Sequence, residues 1–340
     1  MPNQGEPRYV GDNAAIASMT GVVVIGRNEG DRLRRCLASE VRQAPLVVYV
    51  DSGSTDGSVS LAKSLGAEIV ELDPSIPFTA ARARNEGFER LREMRPKLPY
   101  VQFVDGDCEL CAGWLAKAAQ FLGDHEDVAA VSGRLREKYP ENSIYNTLCD
   151  IEWDTPLGEA KACGGIAMFR TSAFERVQGF RVDLIAGEEP ELCVRVRALG
   201  WRVWRVVDEM ALHDSAMLRF GQWWKRSLRA GHAFAQGASL HGASPERHNV
   251  RESYSAWFWA LGIPTFALLT TALLGPAGLL AFVVYPIQVV RLALRGRRSA
   301  RENWLNAAFL VIGKFPETLG QLQYFARRKL GRQSRLIEYK

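Results

Sequence analysis

The chain has 340 residues, 47% hydrophobic and 24% charged, with a net charge of +5, enough for one large α/β core plus an appendage. Its charge is uneven: residues 291–340 hold twelve Lys/Arg against three acids, a balance of +9, and the other 290 residues stand at −4. Basic charge confined to a tail beside an apolar stretch argues against nucleic acid as a partner and for anionic lipid. Residues 1–19 are polar, lack the apolar region of a signal peptide and read as a flexible lead-in. Without a secretory signal, the six scattered cysteines (36, 108, 111, 149, 163 and 193) fit reduced thiols in helix cores and loops better than a disulfide framework. Cys108-x-x-Cys111 has no second pair at ligand spacing, which argues against structural zinc.

Residues 22–25 form a buried-type strand ending at Gly26-Arg27-Asn28-Glu29-Gly30, and 31–41 follow with helical periodicity. Residues 46–50 predict a second strand, closed by Asp51 and the turn Ser52-Gly53-Ser54-Thr55-Asp56-Gly57, then a helix over 58–65. A short strand at 68–72, a helix at 80–94, and a strand at 100–104 continue the alternation, and a further strand is expected at 201–207. Such alternation means βαβ units and a mostly parallel sheet with flanking helices. Right-handed crossovers then bring Glu29, Asp51 and Asp105 to one edge.

No charged residue occurs from 253 to 290. At about 20 residues per crossing, this run predicts a hydrophobic helical hairpin over 256–294, turning at Gly275-Pro276 and either spanning the membrane or re-entrant. Trp257, Trp259 and Tyr285 suit its interface. A buried helical core is the alternative. Two crossings return the basic tail (295–340) to the side of the N-terminal domain, as expected for a cytoplasmic face. Residues 302–328 read as an interfacial amphipathic helix, which extends the expected lipid contact over 256–328.

Chemistry concentrates at Phe103-Val104-Asp105-Gly106-Asp107. Two carboxylates spaced Asp-x-Asp follow a buried strand, where open α/β sheets bind ligands. That pair suits a divalent cation holding a diphosphate, although Asp and Gly are also ordinary turn-formers.

The ordered motifs Val-Val-Val-Ile-Gly-Arg-Asn-Glu, Val-Asp-Ser-Gly-Ser-Thr-Asp-Gly-Ser, Ala83-Arg-Asn-Glu-Gly87, Val-Asp-Gly-Asp, Cys163-Gly-Gly-Ile-Ala-Met-Phe-Arg170 and Gly187-Glu-Glu-Pro-Glu-Leu-Cys-Val-Arg195 resemble the family 2 glycosyltransferases of GT-A fold. The resemblance covers roughly 20–235, with 236–255 expected as a linker. It implies a Rossmann-like, mostly parallel α/β sheet, C-terminal membrane-associated helices, and inverting, hexosyl-type transfer from a nucleoside-diphosphate sugar. It also implies Mg²⁺ or Mn²⁺. Asn28, Glu29, Asp51, Arg84, Asp105 and Gly165 would bind the donor, and Asp107, Asp105 and His213 the metal. Asp51 would accept hydrogen bonds from the base, and the Arg84 fork suits a diphosphate. Arg82 reads as a solvated helix face. Glu189 would be the base, with Glu188 and Glu191 orienting or binding the acceptor. This chain has Glu189-Pro190 where the family commonly has Asp, and the same acids also suit a helix N-terminus. Gln222-Trp223-Trp224-Lys225-Arg226 is distantly like the Gln-x-x-Arg-Trp element of processive relatives but reads mainly as an aromatic-basic interfacial helix. The expected acceptor is a lipid-linked or cell-surface glycan. The rivals are a nucleotidyltransferase, against which the short acidic 26–30 loop speaks, and a degenerate membrane scaffold.

Overall fold

The computed structural model describes residues 19–331. The expected lead-in, save Met19, lies outside the described residues, as do Arg332, Arg335 and Lys340. Two compact units interleave along the chain: 1–138 with 153–182 and 188–215, and 139–152 with 183–187 and 216–340.

The first unit is built on a nine-stranded sheet of β1 (Thr20–Gly26), β2 (Val47–Asp51), β3 (Glu68–Glu71), β4 (Tyr100–Asp105), β5 (Cys108–Leu110), β6 (Val128–Glu137), β7 (Gly158–Glu159), β8 (Ala167–Arg170) and β9 (Arg202–His213). The order is β3-β2-β1-β4-β8-β6-β9-β5, with β7 on β9. Six strands point one way, and β5, β7 and β8 run against them. Helices α1 (Asp31–Val41), α2 (Ser58–Ser64) and α3 (Ala80–Met94) make the crossovers of the parallel block, and α4 (Trp114–Asp124) leads into β6. Alternate residues of β1 enter opposite cores, Val22 and Val24 with Leu33 and Leu37, Val23 and Ile25 with Phe88 and Phe103. Both faces are covered, so the strand reads as an unbroken apolar run.

The register pairs Gly26 with Asp51 and Ile25 with Asp105, so the C-terminal tips of β2, β1 and β4 lie level. β9 extends six residues past its expected end at 207. Val207 is solvent-exposed and breaks the apolar pattern, yet pairing continues past an irregular register and brings His213 opposite Cys108 and Glu137.

The second unit is helical: α5 (Ile144–Glu152), α8 (Phe220–His241), α9 (Val250–Trp257), α10 (Ile263–Leu274), α11 (Val284–Arg295), α12 (Ala300–Ile312) and α13 (Lys314–Lys329); α6 (Thr171–Arg176) and α7 (Glu188–Ala198) belong to the first unit. The boundary expected at 235 falls inside α8, because the buried face of that helix (Gly231, Ala233, Ala235, Gln236) runs through it. A side chain at Gly231 would overlap the backbone of Glu317, and one at Gly320 the carbonyl of Leu228, so α8 and α13 cross at backbone contact. Trp223 is buried, its ring 4.8 Å from Phe309, and Arg226 grips Glu152. Trp223 thus packs into this unit, while Lys225 stays exposed and Trp224 and Arg226 are half-buried. The single helix expected over 302–328 is two helices meeting at Gly313, with Thr318, Gln321 and Tyr324 buried.

The helical run Val250–Arg295 is, by length and composition, apolar enough to cross a membrane. It is folded, not straight. Gly275 takes φ 75° and ψ −163°, a conformation open to Gly and foreign to a helix. A straight helix would part Trp259 from Tyr285 by about 39 Å. Their rings instead lie 5.9 Å apart, and the Tyr285 hydroxyl donates to the Trp259 carbonyl. The outer surface is apolar and bare: Leu268 is 65% exposed, Leu273 81% and Leu280 69%.

Candidate functional site

The loops after β1 and β2 are tied to each other. Asn28, at φ 55°, donates its N–H to Ser54 Oγ (2.9 Å) and accepts at Oδ1 from the Thr55 N–H (2.7 Å), while the Gly30 N–H donates to Asp56 Oδ2 (3.1 Å). Asp51 is buried. Its Oδ2 accepts from the N–H groups of Gly53 (2.9 Å) and Ser54 (2.7 Å), and its Oδ1 from the Tyr49 hydroxyl (2.9 Å). The side chain thus shapes the turn as an Asx motif. Glu29 pairs with Arg32 at 2.8 Å. Arg82 is buried, its guanidinium donating to the carbonyls of Asp73 and Ile76. It closes the loop before α3 and is no solvated face.

Arg84 is the hub. It is buried, donating through Nη2 to Asp105 Oδ1 and through Nη1 to Glu188 Oε1, each at 2.8 Å, and it lies 5.5 Å over the Phe180 ring. Burial opposes its charge, but the two carboxylates outweigh that and hold its pKa above the ordinary value. Three elements supply this chain of charges: the tip of β4, the first turns of α3 and the start of α7. Gly165 is packed on it. A Cβ there would come 2.8 Å from Arg84 Nη2 and 3.5 Å from Asp105 Oδ2, so only a bare backbone fits.

Asp107, in the turn after β4, is buried, with Oδ2 3.2 Å from His213 Nε2 and Oδ1 3.6 Å from Cys108 Sγ. The His213 ring stacks on Trp153 at 4.7 Å. One ligand atom from each of Asp107, Cys108 and His213 lies within 4.8 Å of the others. Burial, and the negative charge of Asp105, push the Cys108 thiol up, which makes its proton costlier to remove than an ordinary thiol's; the carboxylate and imidazole are donors without that cost. That pair fits a divalent cation. Cys111 is not in this cluster.

Glu189 is buried, and its Oε1 accepts from the Cys163 N–H (2.6 Å), Cys163 Sγ (3.1 Å) and Cys193 Sγ (2.9 Å). Glu191 instead holds Arg195 (2.8 Å), whose guanidinium also binds the Gly179 carbonyl. So Asp105, Arg84, Glu188 and Gly165 come together, as do Asp107 and His213, while Asn28 and Asp51 are joined through Ser54 and Thr55. Sequence reasoning placed Cys163, Cys193 and Phe180 in family-like motifs but gave them no role at the site, and it passed over Trp153. The i,i+4 spacing of Glu189 and Cys193 on a helix was the one local signal; the others are contacts between distant segments.

The model of Glycosyl transferase family 2 matches residues 21–177, which includes Asn28 to Gly165 and stops before Glu188, Glu189 and His213. In fold, the chain is similar to the mannosyltransferase PcManGT from Pyrobaculum calidifontis, a structure in complex with GDP-Man and Mn²⁺. Its TM-score is 0.60 and its identity 19%, over 93% of this chain and 90% of that one. It is also similar to S. aureus TarS 1–349 (TM-score 0.51, 15% identity, 92% of each chain). No curated protein sequence matches.

Proposed function

We propose that this protein transfers a sugar, with inversion, from a nucleoside-diphosphate donor to an acceptor hydroxyl; the match of residues 21–177 to the Glycosyl transferase family 2 model and the fold it shares with PcManGT support this. The observation that carries this reading is the level row of strand tips ending in Asp51 and Asp105, with Asp105 tied through Arg84 to Glu188 and with Asp107 beside His213. The PcManGT complex with GDP-Man and Mn²⁺ supports a nucleotide-sugar donor and a metal.

Asn28 and the Asp51 turn form the nucleoside end. Asp107 and His213 would hold the divalent cation, which when bound would offset the charge developing on the departing diphosphate. Arg84 offsets one of the two negative charges of Asp105 and Glu188 and fixes both carboxylates without reorganisation, which is how preorganised electrostatics act. Gly165 brings backbone against this pair and leaves room for the donor sugar. Glu189 is the general base: its Oε1 is anchored by three donors, so Oε2 is the oxygen to take the acceptor proton. Glu188 is a positioning residue.

The bare apolar hairpin, with the basic segment after it, supports a membrane-bound enzyme whose catalytic domain faces the cytoplasm. There a lipid-linked or surface-glycan acceptor is within reach. The experiment is donor turnover. Purified protein with Mn²⁺ and a panel of nucleotide sugars should release nucleoside diphosphate from one of them, with a Glu189→Gln variant slowed by about 10²–10⁴-fold. Folded protein that turns over none of the panel would favour a membrane scaffold.

A further inference from the structure

The pocket around Glu189 has a composition that its role as a base does not explain. Glu189 and Cys193 lie one turn apart on α7, and Cys163 reaches them from the segment before β8. The two sulfurs are 3.7 Å apart, and each lies about as close to Glu189 Oε1, at 3.1 and 2.9 Å. All three residues are buried, and their ligand atoms lie within 4.8 Å of one another.

We propose that Cys163, Cys193 and Glu189 form a binding site for a thiophilic divalent cation of the zinc class, with a donor set distinct from Asp107 and His213. The geometry can be compared with the ion. Two thiolates at ~2.3 Å on a tetrahedral centre stand ~3.8 Å apart, and a thiolate and a carboxylate oxygen ~3.6 Å apart. The sulfur-to-sulfur edge of 3.7 Å already matches. The carboxylate must withdraw by roughly half an ångström, within reach of its terminal torsion. Water supplies the fourth ligand. A disulfide would need the sulfurs at ~2.05 Å, far inside the spacing seen.

Burial pushes the Cys163 thiol well up, and the neighbouring Cys193 and Glu189 add to it. A thiol binds a metal as the thiolate, so binding must expel two protons to solvent. No electron moves. The consequence rests on the reading of Glu189 as base: a cation held on Oε1 takes its charge from the acceptor and halts transfer.

The test is a Co²⁺ titration of reduced, detergent-solubilised full-length protein. The expected result is one equivalent of thiolate-to-cobalt charge-transfer absorption, displaced by Zn²⁺, with two protons released per metal. Cys163→Ser and Cys193→Ser, shown folded by circular dichroism, should each weaken it at least 100-fold. Asp107→Ala should keep it. No thiolate band in the wild-type protein, or a band untouched by both serine variants, overturns the proposal. Adding Zn²⁺ to the active enzyme separates the two readings. Binding with a loss of turnover that Cys193→Ser escapes supports both, because Zn²⁺ at Asp107 and His213 would inhibit wild type and variant alike. Binding without any loss upholds the cation site and removes Glu189 from the base role.

Discussion

Gly165→Ala is the sharpest perturbation of the Arg84 hub. The new methyl would sit 2.8 Å from Arg84 Nη2, about half an ångström or more inside comfortable contact. A guanidinium tip usually swings away at little cost. This one is pinned at both nitrogens by 2.8 Å bonds to Asp105 and Glu188 and is buried among protein atoms. Moving Nη2 stretches the Asp105 bond first, because that is the nitrogen struck. A hydrogen bond to a charged group contributes about 1.5–3 kcal/mol. The Asp105 side chain is 33% exposed, so water recovers part of it, leaving a loss of about 1–2 kcal/mol. Stability in denaturant should fall by that amount, and metal-dependent nucleotide affinity by about 5–30-fold if Asp105 is displaced from its donor-binding pose. Combining Gly165→Ala with Asp105→Asn should cost less than the sum, since both act on one bond. A Gly165→Ala protein within about 0.3 kcal/mol of wild type, with unchanged nucleotide affinity, would refute the reasoning.

Glu40, wholly buried in α1, is pushed up to about 8 by burial, against about 4.3 in an unfolded chain. Between those values the folded state holds one proton more, so stability falls as pH rises across that window, by up to about 1.4 kcal/mol per unit. Glu40→Gln should therefore gain on wild type as pH rises to about 8 in denaturant titrations; a pH-independent difference contradicts this. Gly320→Ala drives a methyl into the Leu228 carbonyl and should cost about 1–3 kcal/mol or more by forcing α8 and α13 apart, seen as faster proteolysis of this unit. Leu268→Asp separates lipid from water around the hairpin. Against lipid it should cost about 2.5–3.5 kcal/mol and reduce vesicle flotation, whereas in water this 65% exposed position would tolerate it.

The parallel block was legible because local and global signals agree there: α1 and α3 begin and end where periodicity and turn residues put them. The long β9 was not, since its second half is specified by pairing with β6 and β5 and not by its own exposed Val207-Asp208-Glu209. The α8–α13 crossing was hidden because Gly231 and Gly320 are 89 positions apart and reveal their role only as a pair. At the site, Asp105, Asp107 and Arg84 stood out by residue type and position. Asp51 stood out as a ligand-binding acid, but its hold on the Gly53–Ser54 turn became visible only in the fold. The thiol pair around Glu189 needed the fold, since no spacing rule links Cys163 to α7.

A metal-dependent nucleotide site at the β4 tip can be measured by calorimetric titration of the detergent-purified protein with UDP, GDP, TDP and CMP, with and without Mn²⁺. One diphosphate should bind, more tightly with Mn²⁺, and its binding should be lost in Asp107→Ala. Folded protein that binds none of the four, or binds equally well in Asp107→Ala, would contradict it.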